Sequence, residues 1–229
     1  MTEDIDEHAA RVETLFERAV EAKRVDLNSL EPHTREILEI LRNGYCVALN
    51  NAPENAGRAY FDFMDDTTVD AVAARRFGFS FIGVSTGLVY AILGRASHIR
   101  QSEMTRALVD LRRPQLEGVA DVILHLVLTF VVLHEQGHHR FGHTGILATR
   151  DAVREFGAHT GSDPTEQAEE VICDGWAVHN LSETLIGGPV CPLFVRILKL
   201  ESNSEEDIDH ILFSLMVMLG VAGIELLMA

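Results

Sequence analysis

His134-Glu135-Gln136-Gly137-His138 is the stretch that decides how this chain is read. It follows an apolar run over residues 119–133, long enough for several helical turns. On a helix, residues four apart lie about 40° from each other, so His134 and His138 point the same way. Two neutral imidazoles at that spacing can take two corners of a zinc tetrahedron. Glu135, about 100° round the helix, is then placed to work on a water that the metal activates rather than to bind the metal itself. Phe130 and Leu126 continue the histidine stripe and anchor it on a packed face. The plainer alternative is a helix end that carries two histidines in a chain that has 11 of them.

Zinc needs a further protein ligand, and Glu170 is the best-placed candidate. The segment around it reads as a second helix with a well-marked start. Asp163 can cap, Pro164 suits the first helical position, and Glu166 completes a capping box. Glu170 and Asp174 lie four apart on one face, so Glu170 can bind the metal while Asp174 accepts the free N–H of a ligand histidine. That contact fixes the tautomer and raises the basicity of the ligand. Taken alone, the same pattern is a solvated acidic helix face. Glu166, one turn earlier, and Glu169, about 100° away, are rival ligands; Asp174 following at four puts Glu170 ahead. His125 precedes His134 by nine positions and His179 follows Glu170 by nine, so both face elsewhere on their helices. His139 and His143 close the first helix, where they either reach a cleft or complement the helix C-terminus.

These two segments resemble the gluzincin-type zinc peptidases, whose signature is HExxH followed by a helix carrying ExxxD. The line Glu170-x-x-Cys173-Asp174-x-Trp176-Ala177 is similar to the E-x-x-A-D-x-F-A line of the minigluzincins, including the ImmA/IrrE-like peptidases. Gly142-His143, soon after the histidine helix, resembles the Lit-type phage-exclusion peptidases. The resemblance covers about residues 119–182. It implies that His134, His138 and Glu170 bind zinc, that Glu135 is the general base, and that Asp174 holds a ligand histidine from outside the metal. Cys173 stands where the family has a small residue and Trp176 where it has Phe. No position matches the family's proton donor or oxyanion-stabilising group. The metzincin pattern HExxHxxGxxH is not met, since Phe141 and Thr144 occupy its glycine and third histidine positions.

Composition sets the frame around this motif. A chain of 229 residues, 47% hydrophobic and 24% charged, can bury a sizeable core as a soluble globular protein. The net charge of -16 argues against nucleic-acid binding, which needs basic surface to displace counterions. Cys46, Cys173 and Cys191 form no spaced framework and fit free thiols in a reducing compartment. The acidic N-terminus lacks the basic and apolar regions of a signal peptide, so a cytoplasmic location is expected.

Along the chain, helical spacing runs over residues 3–26, and a second helix is expected from Pro32 to Arg42, ended by Asn43-Gly44. Residues 45–49 read as a strand, 53–57 as a loop and 58–63 as another strand. Asp65, Asp66 and Asp70 lack the calcium-loop pattern and fit a capped turn leading into residues 69–76. Phe79-Ser-Phe-Ile-Gly-Val84 and Leu88-Val-Tyr-Ala-Ile-Leu93, separated by Ser-Thr-Gly, read as a β-hairpin. In the family resembled, a strand edge beside the zinc helix holds an extended substrate, a role this hairpin is a candidate for; a purely structural role is the alternative. Tyr90 is a weaker candidate for the cleft. Residues 102–111 look helical, and Gly157, His159 and Gly161 fall in a cleft-lining loop or a simple connection. Gly187-Gly-Pro189 ends the Glu170 helix, and further helices are expected at 194–200 and from Ser204 onward. Residues 211–228 are long and apolar enough to span a membrane, but no basic residues flank them and Glu225 lies inside. A buried helix, or a face between copies of the chain, is expected instead.

The expectation is therefore an α+β, mostly helical zincin-like (minigluzincin) domain with a small antiparallel sheet, spanning residues 1–229 as one unit. Within it, residues 1–44 form an N-terminal helical region, 45–185 the catalytic core and 190–229 C-terminal helices. The expected function is that of a zinc metalloendopeptidase acting on a specific peptide or protein substrate, with Zn2+ as cofactor and neither nucleic acid nor membrane as partner. A metal-stabilised regulatory module that hydrolyses nothing, and a metal-free helical protein, are the other two readings.

Overall fold

The computed structural model describes residues 2–52, 58–101, 116–144, 152–154 and 164–185. Over these residues the chain is an α+β fold, mostly helical with a small mixed sheet. Its elements run α1 (Thr2–Val20), α2 (Pro32–Asn51), β1 (Tyr60–Met64), β2 (Ala71–Arg76), β3 (Phe79–Ser85), α3 (Thr86–Gln101), α4 (Leu116–Phe141), β4 (Ala152–Arg154) and α5 (Pro164–Leu185). The chain divides into two compact units, Met1–Leu88 with Val131–Ala177, and Val89–Phe130 with Val178–Ala229. The sheet and the candidate site both belong to the first.

The strand order is β1-β3-β2-β4. β2 and β3 form a hairpin about Phe77-Gly78, whose φ values of 57° and 80° are the double positive pair of a type I′ turn. β4 adds to β2 antiparallel, but β1 pairs β3 parallel, with Tyr60 opposite Phe81 and Met64 opposite Ser85. The sheet is thus mixed rather than wholly antiparallel. Both faces are covered: on one, Phe16, Ala19 and Val20 of α1 pack with Met64, Val72, Ala74 and Phe81. On the other, the α2 ring of Tyr45 meets Phe61 edge-on at 5.1 Å. Gly83 sits mid-sheet because a Cβ there would come within 2.8 Å of the Met64 sulfur.

Two expectations are corrected. The hairpin partner of Phe79–Ser85 is Ala71–Arg76, and residues 88–93 lie in α3. The Ser-Thr-Gly segment is a helix cap, not a turn between strands: Ser85 Oγ accepts the Leu88 N–H at 3.1 Å, as an N-cap does. Gly87 is required there, since a Cβ would lie 2.2 Å from the Thr68 carbonyl oxygen. Likewise residues 45–49 are helical, because α2 runs through Asn43-Gly44 to Asn51. Its buried residues Thr34, Leu38, Leu41, Tyr45 and Leu49 follow helical spacing, and that packing outweighs the cost of about 1 kcal/mol for an interior glycine. The strand expected at 58–63 is present as Tyr60–Met64, and α1 ends six residues before the expected 26. Asp66 makes the expected turn, accepting the Thr68 N–H at 2.9 Å.

Among the described residues, Ala120–Phe141 has the length and apolar character of a membrane span. Its Val122, Leu124, Leu126, Leu128, Val131 and Val132 are buried within the protein. The loop at 53–57, the helices at 102–111 and 194–200 and the apolar segment 211–228 lie outside the described residues, as do Gly157, His159 and Gly161.

Candidate metal centre

The site is built where the last turns of α4 meet the first turns of α5. α5 starts at Pro164 with Glu166 in its first turn, as its sequence signals require. The close approach of the two helices depends on Gly137: a Cβ there would stand 3.2 Å from the Cα, Cβ and Sγ of Cys173. α4 is tied to the sheet by His139, whose Nε2 donates to the Phe81 carbonyl at 2.9 Å while Thr144 Oγ1 donates to its Nδ1 at 2.9 Å. Burial pushes this imidazole down to about 4, so it stays neutral in that role. His139 therefore positions the helix and does not reach a cleft.

The helix ends in a Schellman motif. Gly142 takes the left-handed conformation at φ 78°, the His143 N–H donates to the His138 carbonyl at 2.9 Å, and the Gly142 N–H to that of His139 at 3.4 Å. This fold-back brings the His143 ring against His138, their centroids 5.3 Å apart.

Three ligand-type atoms converge beside the helix. His134 Nε2 lies 3.0 Å from His138 Nε2 and 3.1 Å from Glu170 Oε2, and the third edge, His138 Nε2 to Glu170 Oε2, is 3.4 Å. Asp174 Oδ1 lies 3.0 Å from His134 Nδ1 and accepts its N–H. In a neutral ring that contact leaves Nε2 as a bare lone pair facing the triangle. Burial raises the Glu170 pKa, but hydrogen bonds to His134 and His138 outweigh it and hold the carboxyl well below the ordinary carboxylate range. His134, Glu135 and His138 are buried, with Glu135 fully enclosed.

The donor set fits a divalent ion. Zinc bound tetrahedrally at about 2.0–2.2 Å from N and O ligands sets those atoms about 3.3–3.6 Å apart; the 3.4 Å edge of this triangle falls in that range and the other two are a few tenths of an ångström shorter. Cys173 adds a sulfur: ligand atoms of His134, His138 and Cys173 all lie within 4.8 Å of one another, a group compact enough to hold a metal. Cys173 is fully buried, with its Sγ 3.5 Å from His143 Nδ1. Trp176 lies under the Arg140 guanidinium, 4.2 Å from its ring centroid.

No protein-family model matches the chain, and no curated protein or solved structure matches it. What the site can do is read from its own chemistry.

Four of the residues singled out by the motif spacing come together, His134 and His138 on α4 with Glu170 and Asp174 on α5, and Glu135 is buried on α4. The carboxylate of Glu170 reaches both imidazoles. His179 is exposed, with its nearest ion partner Glu183 at 3.6 Å, and His125 belongs to the second unit. Tyr90 is exposed on α3 and also belongs to the second unit. The structure adds Cys173, which the resemblance presented only as standing where the family has a small residue. His143, expected either to reach a cleft or to complement the helix C-terminus, lies against His138.

Proposed function

We propose that the chain is a zinc-dependent metallopeptidase of gluzincin type, with His134, His138 and Glu170 holding the metal. The observation that carries this reading is the triangle of two imidazole nitrogens and one carboxylate oxygen, with edges of 3.0, 3.1 and 3.4 Å, beside an enclosed glutamate. Zinc, when bound, supplies a Lewis acid that makes a water more acidic and polarises a carbonyl. Glu135 accepts the proton of the attacking water and passes it to the leaving amine. Asp174 fixes the tautomer of His134.

Substrate binding is proposed at the sheet edge. β3 has β1 on one side and β2 on the other, so it has no edge to offer a peptide. Among the described residues, β1 is flanked by residues 23–25, through the Arg24–Met64 bridge and the Val25 N–H to Phe63 carbonyl bond. That leaves β4 as the edge to which an extended peptide adds by main-chain hydrogen bonds.

A second reading rests on Cys173. A fourth protein ligand would close the site, and closed sites are structural rather than hydrolytic. One experiment separates the two: wild type and Glu135→Gln, each loaded with zinc, are incubated with a diverse peptide mixture and the products analysed by mass spectrometry. The peptidase predicts cleavage by wild type and a loss of at least about 100-fold in the variant at equal zinc content. Cleavage that survives the substitution would remove Glu135 from its role.

A further inference from the structure

We infer that His143 is the positioning residue for His138, doing for that ligand what Asp174 does for His134. This rests on the metal reading above. For His138 to present a lone pair at Nε2, its ring must be neutral and carry its proton on Nδ1. The group facing Nδ1 is His143 Nδ1, at 3.2 Å. Two ring nitrogens at that distance form a hydrogen bond only if one donates and the other accepts. His138 therefore donates, and His143 accepts at Nδ1 with its own proton on Nε2.

The acceptor is held in place from several sides. The Schellman turn fixes its backbone through the bond from its N–H to the His138 carbonyl, at 2.9 Å. The Phe141 ring lies near-parallel to it, 30° off at 6.0 Å between centroids. The Cys173 sulfur stands 3.5 Å from the same nitrogen and packs the ring from the facing helix. The two ligand histidines are thus backed by different means, one from across the helix pair and one from the turn that ends its own helix.

The variants that test this are His143→Leu, which removes the acceptor, and His143→Asn, whose side-chain oxygen can stand where Nδ1 stood. The readout is zinc affinity by chelator competition with the metal alone, beside the melting temperature of the metal-free protein. Loss of an outer partner of a ligand histidine costs about 10–100-fold in metal affinity. His143→Leu should lose that much with an unchanged metal-free melting temperature, and His143→Asn should stay within a few-fold of wild type. Equal affinity in all three proteins, or equal loss in both variants, overturns the assignment. His134→Ala runs beside them: zinc retained there refutes the metal site itself, a failure distinct from that of His143. If His143→Leu does not fold, nitrogen NMR of the wild-type zinc form decides. A coupling across the hydrogen bond between the two Nδ1 atoms supports the inference, and a His138 ring protonated on Nε2 overturns it.

Discussion

Two buried charged clusters in the first unit solve the same physical problem in opposite ways. Asp62 on β1 is 1% exposed, and every contact to it is a donor: Arg24 Nε at 2.6 Å, Arg42 at 3.1 Å, Tyr60 Oη at 3.2 Å and the Phe63 N–H at 2.9 Å. The cluster closes on itself. Burial and the neighbouring Asp62 push the Tyr60 hydroxyl well above its ordinary range, so it remains a donor. At the candidate metal centre two imidazole nitrogens and a carboxylate oxygen, Nε2 of His134, Nε2 of His138 and Oε2 of Glu170, converge with edges of 3.0, 3.1 and 3.4 Å. A proton on a ring nitrogen, or a metal cation in its place, can bind the carboxylate there, whereas the arginines and the hydroxyl around Asp62 are donors already in place.

The largest effect that would sharpen this contrast is on stability at Asp62. Asp62→Ala leaves two arginines without their anion and should cost about 3 kcal/mol, the low end for a broken buried pair because both arginines remain partly in water. Urea unfolding measures it, and zinc affinity should not move. A comparable loss of zinc would show that the two clusters are not independent.

Asp174→Ala should do the reverse. The side chain is half exposed, so stability should change little, while zinc affinity should fall about 10–100-fold with the tautomer of His134 no longer fixed. Unchanged affinity would mean that the 3.0 Å contact has no part in metal binding.

The effect confined to the narrowest conditions is on pH dependence, and it belongs to α4 outside the site. Burial pushes His125 down to about 4, against about 6.5 in the unfolded chain. Between those values the unfolded chain binds more protons than the folded one, so stability is present above about 6.5 and declines as pH falls through the window to about 4, by at most about 1.4 kcal/mol per unit. His125→Leu should flatten that decline in thermal melts. An unaltered slope would assign it elsewhere.

What could be read from the sequence followed how far each signal reaches along the chain. The i, i+4 pairs His134/His138 and Glu170/Asp174 and the Pro164 helix start are local facts, and they survive into the structure because helix geometry alone sets them. That the two pairs face each other at Gly137 and Cys173 is not local; the glycine between the histidines carries the crossing, and nothing in its neighbours announces it. The hairpin was misplaced for a similar reason. Ser85-Thr86-Gly87 has the composition of a turn, but its glycine answers to the Thr67 and Thr68 carbonyls, nearly 20 residues earlier. Gly44 misled in the other direction, since tertiary packing of Tyr45 and Leu49 carried the helix past it. The parallel β1–β3 pair could not be foreseen, because an apolar run does not state the direction of its neighbour.

The most direct measurement is zinc content, by elemental analysis of protein purified without added metal, for wild type, Glu170→Ala and Cys173→Ser. The triangle predicts close to one zinc per chain in wild type and in Cys173→Ser, and a marked fall in Glu170→Ala. Zinc lost with Cys173 but kept without Glu170 would contradict the proposed ligand set, and no zinc in wild type after incubation with it would contradict the metal centre altogether.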